Sequence, residues 1–294
     1  MTIPALATAQ RPLVTLRRIG AARTRRLGVL GVASASLIVA LALVAVLAPF
    51  IAPHDPNALD LLHPFAGPSP QHLLGTDDTG RDLLSRLIVG SRTSLLGPLL
   101  VVALAVALGV PLAIASAWRR GPVDAVLSRV LDLLFAFPGV LLAILAIALF
   151  GAGLPAAIIA LAIAHMPYIA RVTRAAAIRE RELTYVESLQ VHGFSGLAIC
   201  FRHLLPNLGP LIIAQATVSF GYVMVDLAAL SFLGLGVQPP SADWGVMVAS
   251  GEPSILEGHP QQSLYAGILI VAAVCAFTIL GERLADPARA PSRG

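Results

Sequence analysis

The chain has 294 residues, of which 57% are hydrophobic and only 12% are charged. Because soluble globular domains carry about 25% charged residues, this composition excludes an ordinary soluble enzyme and favours a helical membrane protein with several spans. All 20 basic residues are Arg. Without Lys, the chain cannot form a Walker A loop, whose Lys contacts nucleotide phosphates, and it cannot form a Lys Schiff base.

Long uncharged stretches predict six membrane-spanning helices, since one crossing needs about 20 apolar residues. The stretch 133–170 is too long for a single crossing, and the residues from Gly151 to Pro155 divide it in two. The predicted fold class is therefore an all-α polytopic membrane protein. The predicted spans are 28–50, 94–117, 130–150, 154–172, 207–234 and 263–281.

The distribution of Arg predicts the orientation of these spans. Of the 20 Arg residues, only Arg81, Arg86 and Arg92 fall on one face of the membrane. Since Arg accumulates in cytoplasmic segments, both termini are predicted to be cytoplasmic. The resulting segments are an N-terminal segment 1–27, a first helix 28–50 with an outer loop 51–93, a core 94–281 with a cytoplasmic loop 173–206 and an outer loop 235–262, and a tail 282–294.

The first outer loop contains a Gly-Thr-Asp-x-x-Gly-Arg-Asp sequence at 75–82. Thr79 and Asp82 have the spacing of a capping box, and the apolar residues that follow predict an amphipathic helix lying on the outer interface. We favour a structural role for this segment. The three His residues of the loop, at positions 54, 63 and 72, match no metal-binding spacing, so no metal site is predicted.

The cytoplasmic loop 173–206 predicts two short amphipathic helices joined at Gly193, with Pro206 beginning the next span. Three Glu residues argue against a simple lipid anchor. A charged, kinked pair of helices with an apolar face is instead suited to docking into a groove of a partner protein.

Two acidic residues fall inside predicted spans, where ionisable groups are costly. Asp132 lies near a cytoplasmic end and is predicted to pair with Arg129. Asp226 lies deep in its span, and either bonding to another helix, which we favour, or contact with a cationic group of a substrate would explain it. His165, close to Pro167, is interpreted as a packing residue rather than a metal ligand.

The second outer segment follows Asp226 and ends its span abruptly. Residues 230–240 read Leu-Ser-Phe-Leu-Gly-Leu-Gly-Val-Gln-Pro-Pro, in which glycines and prolines stop the helix. Trp244 follows, a residue type that is enriched at membrane interfaces.

The cytoplasmic loop resembles the EAA loop of ABC importer permeases. Glu187-Ser188-Leu189, Gly193 and Leu205-Pro206 have its spacing, with Ser188 and Leu189 in place of the two alanines. The segments 74–86 and 230–240 resemble the dipeptide/oligopeptide/nickel branch of that family, and within it the DppC/OppC-type subunit. The resemblance extends over about residues 12–287, although the segment from Gly281 to Pro287 is shortened relative to the family pattern.

This resemblance implies the type I importer permease fold in the cytoplasmic (inner) membrane. It implies a permease that forms half of a path for peptides, with nickel, opines or glutathione as alternative cargo. The implied partners are a homologous DppB/OppB-type permease, two ABC ATPase subunits that bind ATP and Mg, and an extracytoplasmic binding protein; nucleic acid is not expected. No cofactor or catalytic residue is expected in this chain. An ion-driven secondary transporter is the alternative from a different class.

The resemblance also assigns roles to residues. The residues expected to couple to the ATPase are Tyr185, Val186, Glu187, Ser188, Leu189, Gly193, Leu205 and Pro206. The residues expected to form an outer gate or to contact a partner are Gly75, Thr76, Asp77, Gly80, Arg81, Asp82, Ser231, Phe232, Gly234 and Trp244. Asp226 is the candidate inside the membrane.

Overall fold

The structure, a computed structural model, describes residues 16–119 and 121–285, with side chains from residue 28 onward apart from Val123. Within those ranges the regular secondary structure is helical, and an isolated bridge joins Thr76 to Asp82. Most of the predicted N-terminal segment and the end of the tail lie outside the described residues. The helices are α1 (Leu16–Ile51), α2 (Leu83–Arg119), α3 (Pro122–Phe135), α4 (Gly139–Phe150), α5 (Leu154–Arg181), α6 (Thr184–Val191), α7 (Gly196–Ile199), a π-helical turn (Cys200–Leu204), α8 (Leu205–Phe232), α9 (Trp244–Leu256) and α10 (Gln261–Ala285).

The described helices confirm the all-α polytopic fold class. Five of them are long and apolar enough to cross a membrane, and α3 with α4 provides a sixth candidate crossing. The five are Gly28–Ile51, Leu83–Arg119, Leu154–Arg181, Gly196–Phe232 and Gln261–Ala285.

The third predicted span is not one continuous helix. α3 and α4 meet at 88° across a break at residues 136–138. Pro138 explains the break, because it has no backbone N–H and disfavours a helical conformation in the residue before it. The two halves have 14 and 12 residues, which gives each about 18–21 Å, less than the roughly 30 Å of a bilayer core.

Two further boundaries differ from the prediction. α2 begins at Leu83, so the residues expected to form a separate interfacial helix are the first turns of the second span. The helix that carries the fifth span begins at Gly196 rather than at Pro206. The π turn at Cys200–Leu204 lies directly before Leu205-Pro206 and keeps the helix continuous up to the proline.

The core lies between α2 and α5 and between α8 and α10, with α1 packed on α10 and α2. Fully buried alanines, among them Ala105, Ala113 and Ala170, line the contact of α2 with α5. Small residues allow helix backbones to approach closely in a membrane, where hydrophobic burial provides no driving force between helices. The packing therefore fixes the α2–α5 pair as a scaffold for both ends of the molecule.

Candidate functional site

A cavity of about 380 Å³ lies beside the break between α3 and α4. Backbone outside regular helix is tolerated at membrane depth only where it is buried in protein or lines a water-filled cavity, and Phe137 of the break lines this cavity. The walls carry polar groups from α5 and α8 as well as aromatic rings. The lining residues are Phe135, Phe137, Gly139, Ala164, His165, Tyr168, Ser219, Tyr222 and Asp226.

Asp226 and His165 join α8 to α5 in the wall of this cavity. Asp226 Oδ2 lies 2.8 Å from His165 Nε2, so the carboxylate has a hydrogen-bonding partner on another helix of the same chain. Nearby, the Tyr168 hydroxyl donates to Gln215 Oε1 at 3.0 Å. Sequence reasoning considered Asp226 and His165 separately, although both are ionisable residues within spans, and that shared property was the signal for pairing them.

Ser219 adds an unpaired polar group to the same cavity. Its hydroxyl is buried and has no hydrogen-bonding partner among the described residues. A buried hydroxyl without a partner is unfavourable, and because the residue is only 1% exposed, a molecule in the cavity would reach this oxygen only if the cavity wall moved.

Acidic residues of α3 pair with Arg residues of α5 near the predicted cytoplasmic side. Asp132 accepts a hydrogen bond from Arg171 Nη2 at 2.7 Å. The pairing of Asp132 with Arg129 that the sequence predicted was therefore wrong. Arg174 holds both carboxylate oxygens of Asp124, at 2.7 Å and 2.6 Å. Both pairs join α3 to α5, and the Arg174–Asp124 pair is the stronger because Arg binds a carboxylate most strongly through two parallel hydrogen bonds.

The base of the cytoplasmic loop is anchored to three helices. The Tyr185 hydroxyl donates to Glu180 Oε1 at 2.8 Å, and Asn207 Nδ2 donates to the same oxygen at 2.9 Å. The guanidinium of Arg181 lies 5.1 Å from the centre of the Trp118 ring. Val186 is fully buried. The loop is therefore held on the ends of α2, α5 and α8.

Gly193 separates α6 from α7, as the sequence predicts. Its φ of 81° is in the left-handed region, which glycine adopts without the steric cost that other residues meet. The amide of Gly193 donates to the carbonyl of Gln190 and that of Phe194 to the carbonyl of Leu189, closing the turn.

The solvent-exposed side of the α6–α7 pair carries large apolar side chains. Val191 is 87% exposed and Leu197 74% exposed, and the predicted coupling residues Glu187 and Ser188 are exposed beside them. Leu189 and Leu205 are half-buried, and Pro206 is exposed. We call the exposed set the docking surface; it consists of Leu183, Glu187, Ser188, Val191, Phe194, Leu197 and Phe201.

The Gly-Thr-Asp-x-x-Gly-Arg-Asp segment folds around a buried carboxylate. Asp77 Oδ1 accepts hydrogen bonds from the amides of Thr79 and Arg81, both at 2.9 Å, and Oδ2 accepts from Arg81 Nε at 2.7 Å. The Thr76 hydroxyl donates to the His63 carbonyl at 2.8 Å. A Cβ at Gly80 would lie 1.9 Å from the Asp60 carbonyl oxygen. These contacts support the structural role that the sequence favoured.

Asp82 is the residue that caps α2. Its Oδ2 accepts hydrogen bonds from the amide of Ser85 at 2.8 Å and from the Ser85 hydroxyl at 2.7 Å. The capping box predicted between Thr79 and Asp82 was wrong, because the Thr79 hydroxyl donates to Asp77 instead. Burial raises the pKa of Asp82, but the hydrogen bonds from Ser85 and His72 outweigh it and hold that pKa below its ordinary value.

Hydrogen bonds join the second outer segment to α2. Ser94 Oγ donates to Asp243 Oδ2 at 2.7 Å and accepts from the amide of Trp244 at 2.9 Å. The indole of Trp244 is buried and donates to the Leu87 carbonyl at 2.9 Å. Trp244 is thus a core residue rather than the interfacial anchor expected from sequence. Burial raises the pKa of Asp243 despite its hydrogen bonds.

Most of the residues expected to form an outer gate or partner contact are therefore buried or half-buried in this structure. Ser231 is also buried, and its hydroxyl accepts from the amide of Val237 at 3.2 Å. Phe232 and Gly234 are exposed. Among the residues expected to form an outer gate or to contact a partner, Phe232 and Gly234 are therefore the ones whose exposure leaves them accessible to a partner.

Comparisons with known proteins agree on one family. Residues 109–290 match the family described as "Binding-protein-dependent transport system inner membrane component". A peptide transport system permease of Brucella suis is 40% identical, with 93% of this chain and 90% of that protein covered. The dipeptide transport system permease DppC of Haemophilus influenzae is 37% identical (85% and 86% covered). The glutathione transport system permease GsiD of Pectobacterium atrosepticum is 35% identical (87% and 85% covered).

A solved structure supports the fold. A chain of the MetNI methionine ABC transporter in an inward-facing form aligns with a TM-score of 0.57. The alignment covers 70% of this chain and 96% of that one, at 18% identity. At this identity the likeness establishes the architecture of a type I importer permease and nothing about cargo.

Proposed function

The chain belongs to the family of binding-protein-dependent transport system inner membrane components, and we propose that it forms half of the translocation path of an ATP-driven importer of peptides. It is a multi-pass membrane permease of the ABC importer type. The homologous second half would come from another permease chain, and an extracytoplasmic binding protein would deliver the cargo to the outer segments.

The docking surface carries this proposal. It displays apolar side chains around Glu187 on a helical pair whose base is anchored to α2, α5 and α8. Amphipathic helices with such a face are recognised by insertion into a groove of a partner. We assign this groove to an ABC ATPase subunit; two such subunits, which would bind ATP and Mg, would dock on the cytoplasmic loops of the two permeases. The permease itself would contribute no catalytic residue.

Peptides are the proposed cargo because relatives that match most of the chain are named for peptide, dipeptide and glutathione transport. The polar cavity beside the α3–α4 break would lie on the path, where Tyr168 and the Asp226–His165 pair offer hydrogen-bonding groups. Nickel or opines are the alternative cargo. The predicted orientation, with both termini in the cytoplasm, places the docking surface on the side where ATP is present.

An ion-driven secondary transporter is the competing function, and the Asp226–His165 pair is the observation that favours it. Proton-coupled carriers use ionisable groups of this kind inside the membrane. The two mechanisms differ in their energy source. Uptake of a labelled dipeptide into proteoliposomes should require the ATPase subunits and ATP in one case, and only a proton gradient in the other.

Two variants of the docking surface test the ATP-driven mechanism. Gly193→Pro forces φ to about −65° where the structure has 81°, and Glu187→Arg reverses an exposed charge. Each should reduce copurification of the ATPase subunits and stimulated ATPase activity while membrane insertion continues. Glu257→Arg, an equally exposed reversal in the outer segment, is the matched control. A complex that purifies whole with full stimulated activity in both docking variants would refute the coupling role.

A further inference from the structure

Three metal-binding side chains converge at the outer end of the molecule. His54 follows α1, His72 lies in the middle of the outer loop and Asp82 precedes α2, yet one ligand atom of each lies within 4.8 Å of those of the other two. His72 Nδ1 is 3.0 Å from Asp82 Oδ1, and His54 Nδ1 is 3.8 Å from Asp82 Oδ2. The imidazole rings are 5.0 Å apart between centroids.

We propose that His54, His72 and Asp82 bind one divalent transition-metal ion, with Zn²⁺ the best match to the donor set. Two imidazole nitrogens and one carboxylate oxygen form a recurrent set of three protein ligands for zinc, with the fourth position open to water. Co²⁺ and Ni²⁺ accept the same donors. This inference goes beyond the transport function, since neither depends on the other.

The spacing of the ligand atoms leaves room for a metal ion. Two ligands of a tetrahedral zinc ion, each about 2.0–2.1 Å from it, lie about 3.4 Å apart. The separations here are 3.0 Å from His72 Nδ1 to Asp82 Oδ1, which is also an ordinary hydrogen-bond length, and 3.8 Å from His54 Nδ1 to Asp82 Oδ2. The longer one exceeds the reach of a hydrogen bond, so a proton alone leaves His54 without a close bond to the carboxylate.

Ser85 forms hydrogen bonds with both Asp82 and His54. Its hydroxyl and amide both donate to Asp82 Oδ2, and the same hydroxyl accepts from the amide of His54 at 2.9 Å. Oδ1 of Asp82 remains directed at His72. Outer-shell hydrogen bonds of this kind orient the ligands of metal sites and contribute to their affinity.

The gradient of exposure gives the ion a route to the site. The side chain of Asp82 is 2% exposed, that of His72 23% and that of His54 43%. The carboxylate is thus buried, whereas the two imidazoles remain partly exposed to solvent. A bound ion would join the end of α1 to the start of α2 and close the outer loop.

The third His of the loop supplies an internal comparison. His63 lies 2.9 Å from Asp60 and both are exposed, so this pair is a surface ion pair outside the proposed site. The regular spacing of the three His residues along the chain predicted no metal site. The folded loop shows that only His54 and His72, among the three, come together with a buried carboxylate.

The test uses the full-length chain, purified in detergent without a histidine tag and stripped with EDTA. Titration with Zn²⁺ against a chromophoric chelator should give one ion per chain, and Co²⁺ should give the intense visible absorption bands of a four-coordinate site. His54→Ala and His72→Ala should each weaken Zn²⁺ affinity by at least about tenfold, because even loss of an outer-shell group costs 10- to 100-fold.

His63→Ala is the matched control and should bind Zn²⁺ as the unaltered chain does. His54 is partly exposed, so its loss should leave the thermal unfolding of the metal-free chain unchanged and provides a variant that remains folded. The proposal is overturned if the unaltered chain binds no stoichiometric Zn²⁺, if both His54→Ala and His72→Ala retain full affinity, or if His63→Ala loses as much as they do.

Discussion

Asp226 of α8 shares a hydrogen bond with His165 of α5, with 2.8 Å between Oδ2 and Nε2. The pair lies in the wall of the cavity beside the α3–α4 break. A carboxylate in a span is costly unless it is paired, and here the pairing ties together two of the helices that surround the proposed path.

Replacement of Asp226 separates its bonding role from its charge. Asp226→Asn retains a group that pairs with either tautomer of His165, so assembly, thermal stability and peptide uptake should remain close to those of the unaltered protein. Asp226→Ala leaves His165 unpaired and should destabilise the chain by about 1–3 kcal/mol. Thermal unfolding in detergent and uptake by proteoliposomes measure both. Lost uptake with normal assembly in Asp226→Asn would instead indicate contact with a cationic group of the cargo.

The docking surface should fail when a charge replaces one of its apolar side chains. Val191→Asp and Leu197→Asp place a carboxylate where an interface would remove water, which is unfavourable without a partner group. We expect copurification of the ATPase subunits to fall by about tenfold or more, while thermal stability of the permease is unchanged. Leu256→Asp, at an exposed outer position, is the control. Equal losses in all three variants would point to a general defect.

Asp82 should make stability depend on pH in the acid range. Because folding holds the pKa of this carboxyl below its ordinary value, its contribution is complete above the unfolded pKa of about 3.9. That contribution is lost as the pH falls through the folded pKa. In EDTA, the stability advantage of the unaltered chain over Asp82→Asn should therefore be constant above about pH 4 and shrink as the pH falls below that value. An advantage in thermal unfolding that does not shrink on further acidification would contradict this role of Asp82.

Gly245 should not tolerate a side chain. A Cβ at this position would lie 2.7 Å from the Ala228 carbonyl oxygen and 2.9 Å from its Cα, and backbone atoms cannot move aside easily. Gly245→Ala should cost about 1–3 kcal/mol by loosening α9 from α8. Gly267→Ala, in α10 with nothing within 4 Å of the added Cβ, should be neutral or slightly stabilising. Thermal unfolding of the two variants measures this difference in stability.

Five of the six predicted spans coincide with described helices that are long and apolar enough to cross a membrane, because apolar length is a one-dimensional property. The helical pair around Gly193 was equally accessible, since its periodicity changes at a glycine. The start of α2 could not be predicted from sequence, because the apolar residues after Asp82 fit an interfacial helix and a longer span equally well. Only packing of Leu83 and Leu87 against the core decides between the two.

Pairings between distant residues escaped sequence reasoning for a different reason. His165 and Asp226 are on separate helices, and Asp132 had Arg129 within one helical turn as an obvious partner. Tertiary packing brought Arg171 to Asp132 instead. The burial of Trp244 depended in the same way on Ser94 and Leu87, which no local pattern relates to it. Spacing along the chain carries no information about such contacts.

The continuous helix from Gly196 to Phe232 has a mechanical consequence. At 1.5 Å per residue it is a rod of about 56 Å, with the docking surface at one end and the exposed Phe232 at the other. A tilt of about 10° around its middle would carry the two ends about 5 Å in opposite directions. If the docking surface couples to an ATPase as proposed, such a rotation would turn a small displacement at the docking end of the helix into an opposite displacement at its Phe232 end.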